Sequence, residues 1–151
     1  MKILLVCTGN TCRSAMAEGI AKKMAEEKGF HWQISSAGTL GISDEPASMN
    51  ARMACAEIGI DISRHLSRAL TADMIRESDI VLGMEYAHLN YCKRLCEDAE
   101  DKILLIGGFD LGKPALEVED PIGRDIQFFR DVRDKLKDYI EKAFENNIIG
   151  D

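Results

Sequence analysis

The chain has 151 residues, 46% of them apolar and 30% charged, which is the make-up of one ordinary globular domain. Its 19 basic and 26 acidic residues leave a net charge of −7, which disfavours a nucleic-acid backbone or an anionic membrane as partner. At this length folding buries roughly 68–70% of the extended-chain surface, so neither disulfides nor metal staples are needed for stability.

Ile3 to Val6 reads as a short buried strand, followed by the turn-rich Thr8-Gly9-Asn10-Thr11. From Ala15 to about Lys28 apolar residues recur at helical spacing, and Gly29 ends that helix. His31 to Ser36 is a second strand and Gly38 to Glu45 a loop. A helix from about Pro46 to Glu57 has proline at its start and Gly59 past its end. Thr71-Ala72-Asp73 caps a short helix, Asp79 to Met84 is a third strand, and Glu85 to Glu97 has helical spacing. Lys102 to Ile106 is a fourth strand, and a loop runs on to about Gly123. Asp125 to Phe144 closes the chain as an amphipathic helix, with Ile126, Phe129, Val132, Leu136 and Ile140 on one face.

This alternation predicts an α/β fold: one doubly wound domain over residues 1–151, with a four-stranded parallel sheet covered by helices on both faces. Such sheets bind ligands beyond the carboxyl ends of their strands, where the turn after Cys7 falls. The longest apolar runs are too short to span a bilayer, and the start carries no cleavable signal pattern. A cytoplasmic location is expected, with Cys7, Cys12, Cys55, Cys92 and Cys96 as thiols.

The chemistry is concentrated in Cys7-Thr8-Gly9-Asn10-Thr11-Cys12-Arg13-Ser14, which joins the first strand to the first helix. Gly9 is expected to take a conformation other residues resist, so that successive N–H groups point into one concavity. The helix N-terminus adds donors and partial positive charge, and Arg13 offers a planar fork for two phosphate oxygens. Cys7 falls at the floor of this anion site, where donors and positive charge favour the thiolate. The loop's main contribution is then to hold phosphorus in line with sulfur and to stabilise charge on the equatorial oxygens. Ser14 is placed to donate a hydrogen bond to the sulfur.

This stretch resembles the signature of the low-molecular-weight protein tyrosine phosphatase family, a superfamily that also holds bacterial protein-arginine phosphatases and thioredoxin-coupled arsenate reductases. The resemblance continues in Ser35-Ser36-Ala37-Gly38-Thr39, in Ile80-Val81-Leu82-Gly83-Met84 and in Glu119-Asp120-Pro121. One departure is Ala15, where the family usually has proline. The resemblance implies a cysteine-dependent phosphatase without metal or cofactor, acting on phosphorylated proteins, with Cys7, Arg13 and Asp120 catalytic. Thr8 to Ser14 would bind the phosphoryl group, and Asn10, Ser14, Ser36 and His65 would brace the loop. A monomer or weak dimer is expected, with neither nucleic acid nor membrane as partner.

From the residues alone, Glu119-Asp120-Pro121 reads equally as a solvated acidic turn or as a general acid, and His65 as a surface histidine. The resemblance makes Asp120 the acid and then the base that activates water, and Cys12 a partner for Cys7 on oxidation. His31 and His88 match nothing and are taken as structural. Cys92 and Cys96, one helical turn apart, are read as packing residues.

Two positions bear on substrate. Thr11 stands where many tyrosine phosphatases carry isoleucine or leucine, and Ile122 follows Asp120-Pro121 where the tyrosine-specific members carry tyrosines. Threonine at position 11 resembles the arginine phosphatases, its hydroxyl suits a polar phosphoguanidinium better than an apolar ring edge, and the two departures together favour phosphoarginine. Phosphotyrosine is the alternative substrate. An arsenate reductase is disfavoured by Met84-Glu85-Tyr86 where that branch needs a resolving cysteine. A non-catalytic phosphate-binding module would need neither Cys7 nor Asp120, and a redox sensor built on Cys7 and Cys12 would not need Asp120.

Overall fold

The computed structural model describes residues 1–146; the remaining residues of the expected domain, 147–151, lie outside the described residues. The chain runs β1 (Lys2–Cys7), α1 (Arg13–Glu27), β2 (Gln33–Gly38), α2 (Met49–Ala56), α3 (Ala72–Glu77), β3 (Ile80–Gly83), α4 (Tyr86–Leu95), a 3-10 turn (Glu97–Lys102), β4 (Ile103–Leu105) and α5 (Ile126–Glu145). All strand pairs are parallel and the order is β2-β1-β3-β4. The chain steps from β1 to β2 on one side and returns to β3 on the other. The crevice between β1 and β3 is therefore the switch point where such sheets take ligands.

Side chains of β1 alternate between two cores. Ile3, Leu5 and Cys7 pack with α1, α2 and α5, while Leu4 and Val6 pack with Ile75 of α3 and with Leu89 and Cys92 of α4. A strand covered on both faces has no polar positions, which is why β1 reads as an unbroken apolar run. Burying each of Leu4, Leu5 and Val6 contributes about 1.5–3 kcal/mol. Ala17, Ala21 and Ala25 are buried on α1 with Met16 and Ile20, in the core that α1 shares with β1, α2 and α5. No helix among the described residues is long and apolar enough to cross a membrane.

The element order is as the sequence predicts, with three local differences. Helix α2 starts at Met49, with Ser48 as its cap accepting from the Ala51 N–H. Pro46 lies outside it in a bridge to Leu66. The region after α4 tightens into a 3-10 turn, and Gly9 is not in the left-handed region: Asn10 is, at φ 58°. Asparagine tolerates that conformation better than most residues because its short side chain bonds locally.

Gly38 ends β2 opposite Cys7, and an added Cβ there would sit 2.5 Å from the Thr8 carbonyl oxygen. That oxygen is backbone and cannot swing aside. Gly38→Ala should cost about 1–3 kcal/mol in chemical denaturation, as overpacking does, and should lower catalysis by displacing Thr8. Wild-type stability and activity in that variant would show that the loop gives way freely.

Candidate active site

The loop from Cys7 to Arg13 closes over the carboxyl end of β1, and α1 begins at Arg13 with Cys12 as an N-cap that makes no side-chain cap bond. The first N–H groups of α1 are thus left for a ligand. Cys7 Sγ lies 2.9 Å from Ser14 Oγ and accepts the Asn10 N–H at 3.3 Å.

Proton positions around the sulfur follow from one backbone donor. The Arg68 N–H donates to Asn10 Oδ1 at 2.9 Å, which fixes the orientation of the amide. Asn10 Nδ2 then donates to Ser14 Oγ at 2.7 Å and to Ser36 Oγ at 2.8 Å. With Ser14 Oγ accepting there, its own proton is free for Cys7 Sγ; Ser36 in turn donates to Glu18 Oε1 at 2.6 Å. Two donors therefore converge on the sulfur, an arrangement that suits a negatively charged atom. His65 Nε2 donates to the Asn10 carbonyl oxygen at 2.7 Å, holding the left-handed residue from behind. The predicted braces Asn10, Ser14, Ser36 and His65 form one network.

Arg13 is 2% exposed. Its Nη1 donates to Glu85 Oε2 and to the Val118 carbonyl oxygen, both at 2.8 Å, and Nη2 reaches Thr8 Oγ1 at 3.4 Å. Among the described residues no protein acceptor takes the Nε hydrogen or the remaining Nη2 hydrogen. That edge is the planar fork available to two phosphoryl oxygens.

The loop that carries Asp120 is tied to the sheet just upstream: the Val118 N–H donates to the Met84 carbonyl, and Glu117 Oε2 accepts the Tyr86 N–H. Asp120 lies at the mouth, its carboxyl 41% exposed and 3.6 Å from Arg13 Nη2. Its Oδ1 accepts the Ile122 N–H at 3.1 Å, a local turn that sets its direction. Ile122 itself is 70% exposed.

Thr11 is half-buried at the rim, and its carbonyl accepts the Ser48 N–H. Cys12 Sγ lies 3.3 Å from Ser48 Oγ. Burial pushes the Cys12 thiol above its ordinary value, more than the Ser48 and Thr11 hydrogen bonds lower it. Cys92 and Cys96 pack in the core under α4, where burial pushes Cys92 up to about 11.

Three participants escaped the sequence reading. Glu18 anchors Ser36, Glu85 pairs with Arg13, and His88 is buried against the loop, its Nε2 2.9 Å from Thr8 Oγ1. Burial, with Arg13 nearby, pushes His88 down to about 4, so its ring is neutral at pH 7. One signal was available for the last two. Glu85 and His88 directly follow a parallel strand, at the sheet edge that Cys7 also occupies.

The chain matches the family described as low molecular weight phosphotyrosine protein phosphatase over residues 2–148. It is 32% identical to a protein-arginine-phosphatase of Bacillus subtilis (strain 168), over 94% of this chain and 93% of that one. It is also 36% identical to arsenate reductase 1 of Staphylococcus saprophyticus subsp. saprophyticus, over 93% of both chains. Among solved structures, a C7S mutant of YwlE arginine phosphatase with a phosphorylated active-site serine superposes with a TM-score of 0.92. That match has 30% identity and covers 99% of this chain and 97% of the other. Since the match runs unbroken from β1 through α5, the chain belongs to the low molecular weight phosphotyrosine protein phosphatase family.

Proposed function

We propose that this protein phosphatase hydrolyses phosphoarginine residues of cytoplasmic proteins. In this mechanism Cys7 Sγ attacks phosphorus, an S–P bond forms, and the P–N bond to the guanidine breaks. Asp120 gives its proton to the leaving nitrogen. The carboxylate so formed takes a proton from water, whose oxygen attacks phosphorus; the P–S bond breaks and phosphate and thiolate are released. Through both steps Arg13 and the N–H groups of residues 8–14 carry the charge on the equatorial oxygens. Ser14 stabilises the departing sulfur. Every proton and electron pair in these steps is carried by the chain's own residues and by water.

The observation that carries the choice of phosphoarginine is Thr11 at the half-buried rim of the loop. Its hydroxyl is smaller than an isoleucine side chain and offers a polar partner to a planar phosphoguanidinium. The mouth also lacks an aromatic wall after Asp120-Pro121, where Ile122 stands exposed. Glu119, next to Asp120, adds negative charge that attracts a guanidinium. The likeness to the Bacillus subtilis protein-arginine-phosphatase supports the same choice. Against arsenate reduction stands Met84-Glu85-Tyr86, which has no cysteine where that branch needs its resolving thiol after the third strand.

The test is the ratio of kcat/KM on phosphoarginine and phosphotyrosine peptides, for wild type and Thr11→Ile. Wild type should favour phosphoarginine, and the isoleucine should move the ratio toward phosphotyrosine by about 10- to 200-fold, the range that small changes of pocket shape produce. A preference for phosphotyrosine in both proteins would assign the chain to the tyrosine-specific members.

A further inference from the structure

His88 is 2% exposed, and both its ring nitrogens are engaged. The Glu85 backbone N–H donates to Nδ1 at 3.0 Å. A backbone amide can only donate, so Nδ1 carries no proton. The neutral ring therefore holds its hydrogen on Nε2 and donates it to Thr8 Oγ1 at 2.9 Å. The same oxygen accepts Arg13 Nη2 at 3.4 Å, and Arg13 Nη1 donates to the Glu85 carboxylate at 2.8 Å.

These contacts close a ring through Arg13, Glu85, His88 and Thr8. The ring grips the Nη end of the guanidinium and leaves the Nε–Nη2 edge for the ligand. It joins the segment after β3 to the loop after β1, residues 80 positions apart. Charged groups facing His88 from the surrounding elements are Arg13, Glu85, Glu117 and Asp120. None of their charged side-chain atoms bonds the ring, although Glu85 Oε2 comes within 3.7 Å of Nε2.

We propose that His88 is a positioning residue: by donating to Thr8 it sets the direction in which Arg13 presents its free edge to the phosphoryl group in the transition state. The inference rests on the role given to Arg13 under the proposed function. It does not depend on whether the substrate is phosphoarginine or phosphotyrosine. A guanidinium turned by a fraction of an ångström still binds phosphate, but it no longer meets the equatorial oxygens as charge develops on them. The effect should therefore appear in kcat more than in ground-state binding.

The experiment measures kcat and KM on para-nitrophenyl phosphate and the inhibition constant of inorganic phosphate. It compares wild type, His88→Asn, Thr8→Val and the double variant, each with a thermal midpoint. Asparagine keeps an acceptor for the Glu85 N–H but is too short to reach Thr8. The expected result for each single variant is a fall in kcat of about 10- to 100-fold. The phosphate inhibition constant should change less than about threefold, and the double variant should be no worse than Thr8→Val alone.

Wild-type kcat in His88→Asn, or losses that multiply in the double variant, would overturn the inference. Should His88→Asn fail to fold, Thr8→Val decides alone, and wild-type kcat there overturns it. An inactive wild type on every phosphate ester and phosphoramidate would overturn the functional reading, and this inference with it. An active wild type with multiplying losses removes only the role of His88.

Discussion

Cys7→Ser should fold and lose essentially all turnover, with kcat on an aryl phosphate falling at least about 10⁴-fold, the scale on which removing a nucleophile acts. A serine hydroxyl would occupy the same buried position and find the same partners, Ser14 Oγ and the Asn10 N–H. The stability cost should stay near about 1 kcal/mol, since no polar group is left without a partner. The chemistry fails for a different reason. A hydroxyl needs a general base to become a nucleophile, and the two histidines beside the loop are committed elsewhere. His65 Nε2 is bonded to the Asn10 carbonyl and His88 Nε2 to Thr8. Steady-state hydrolysis and a denaturation curve together check this, and activity within tenfold of wild type would remove Cys7 from the mechanism.

The second large effect should come from Asp120→Asn. Asparagine keeps an oxygen to accept the Ile122 N–H at 3.1 Å, so the loop should hold its shape. What disappears is the proton for the leaving group. General acid catalysis is worth about 10²–10⁴-fold, and it matters most where the leaving atom is basic. Hence kcat/KM on an alkyl phosphate or a phosphoramidate should fall by that factor. An ester of a strongly acidic phenol should lose less than about tenfold, since its leaving group needs little help. Using kcat/KM confines the comparison to steps up to cleavage and leaves out the later attack of water, where Asp120 acts as base. Equal losses on both classes of ester would deny Asp120 the acid role.

Neither prediction needs a residue that the sequence reading missed: Cys7 rests on a local signal, and Asp120 on the family resemblance, since its residues alone read equally as a solvated turn. Cys7 and Arg13 sit on one continuous strand, turn and helix, and chain connectivity alone brings them together. Asp120 precedes a proline in a loop at the carboxyl edge of the sheet. Local signals also misled at two places. Proline at position 46 suggested a helix start, yet Ser48 is the better cap because its hydroxyl can accept the Ala51 N–H. Gly9 suggested the left-handed residue, yet Asn10 takes it, because its amide is bonded on both sides by Arg68, Ser14 and Ser36. Those partners lie as far as 58 positions away, and they hold a conformation that local preference would have given to glycine.

What the sequence determined alone was the periodic and the contiguous. Strands buried on both faces show as apolar runs, helices show their 3.6-residue stripe, and a phosphate loop shows its glycine, cysteine and arginine in order. Only the tertiary structure decided which distant polar groups meet. Glu85 comes to Arg13 from 72 positions away and His88 to Thr8 from 80, because β3 lies beside β1 and both strands end at the same edge. Glu18, on the face of α1 toward β2, meets Ser36 for the same kind of reason. A hydrogen bond of this sort has no period and leaves no pattern in the chain. It exists because parallel strands place their carboxyl ends together, and because a buried donor or acceptor without a partner costs more than the fold can spare.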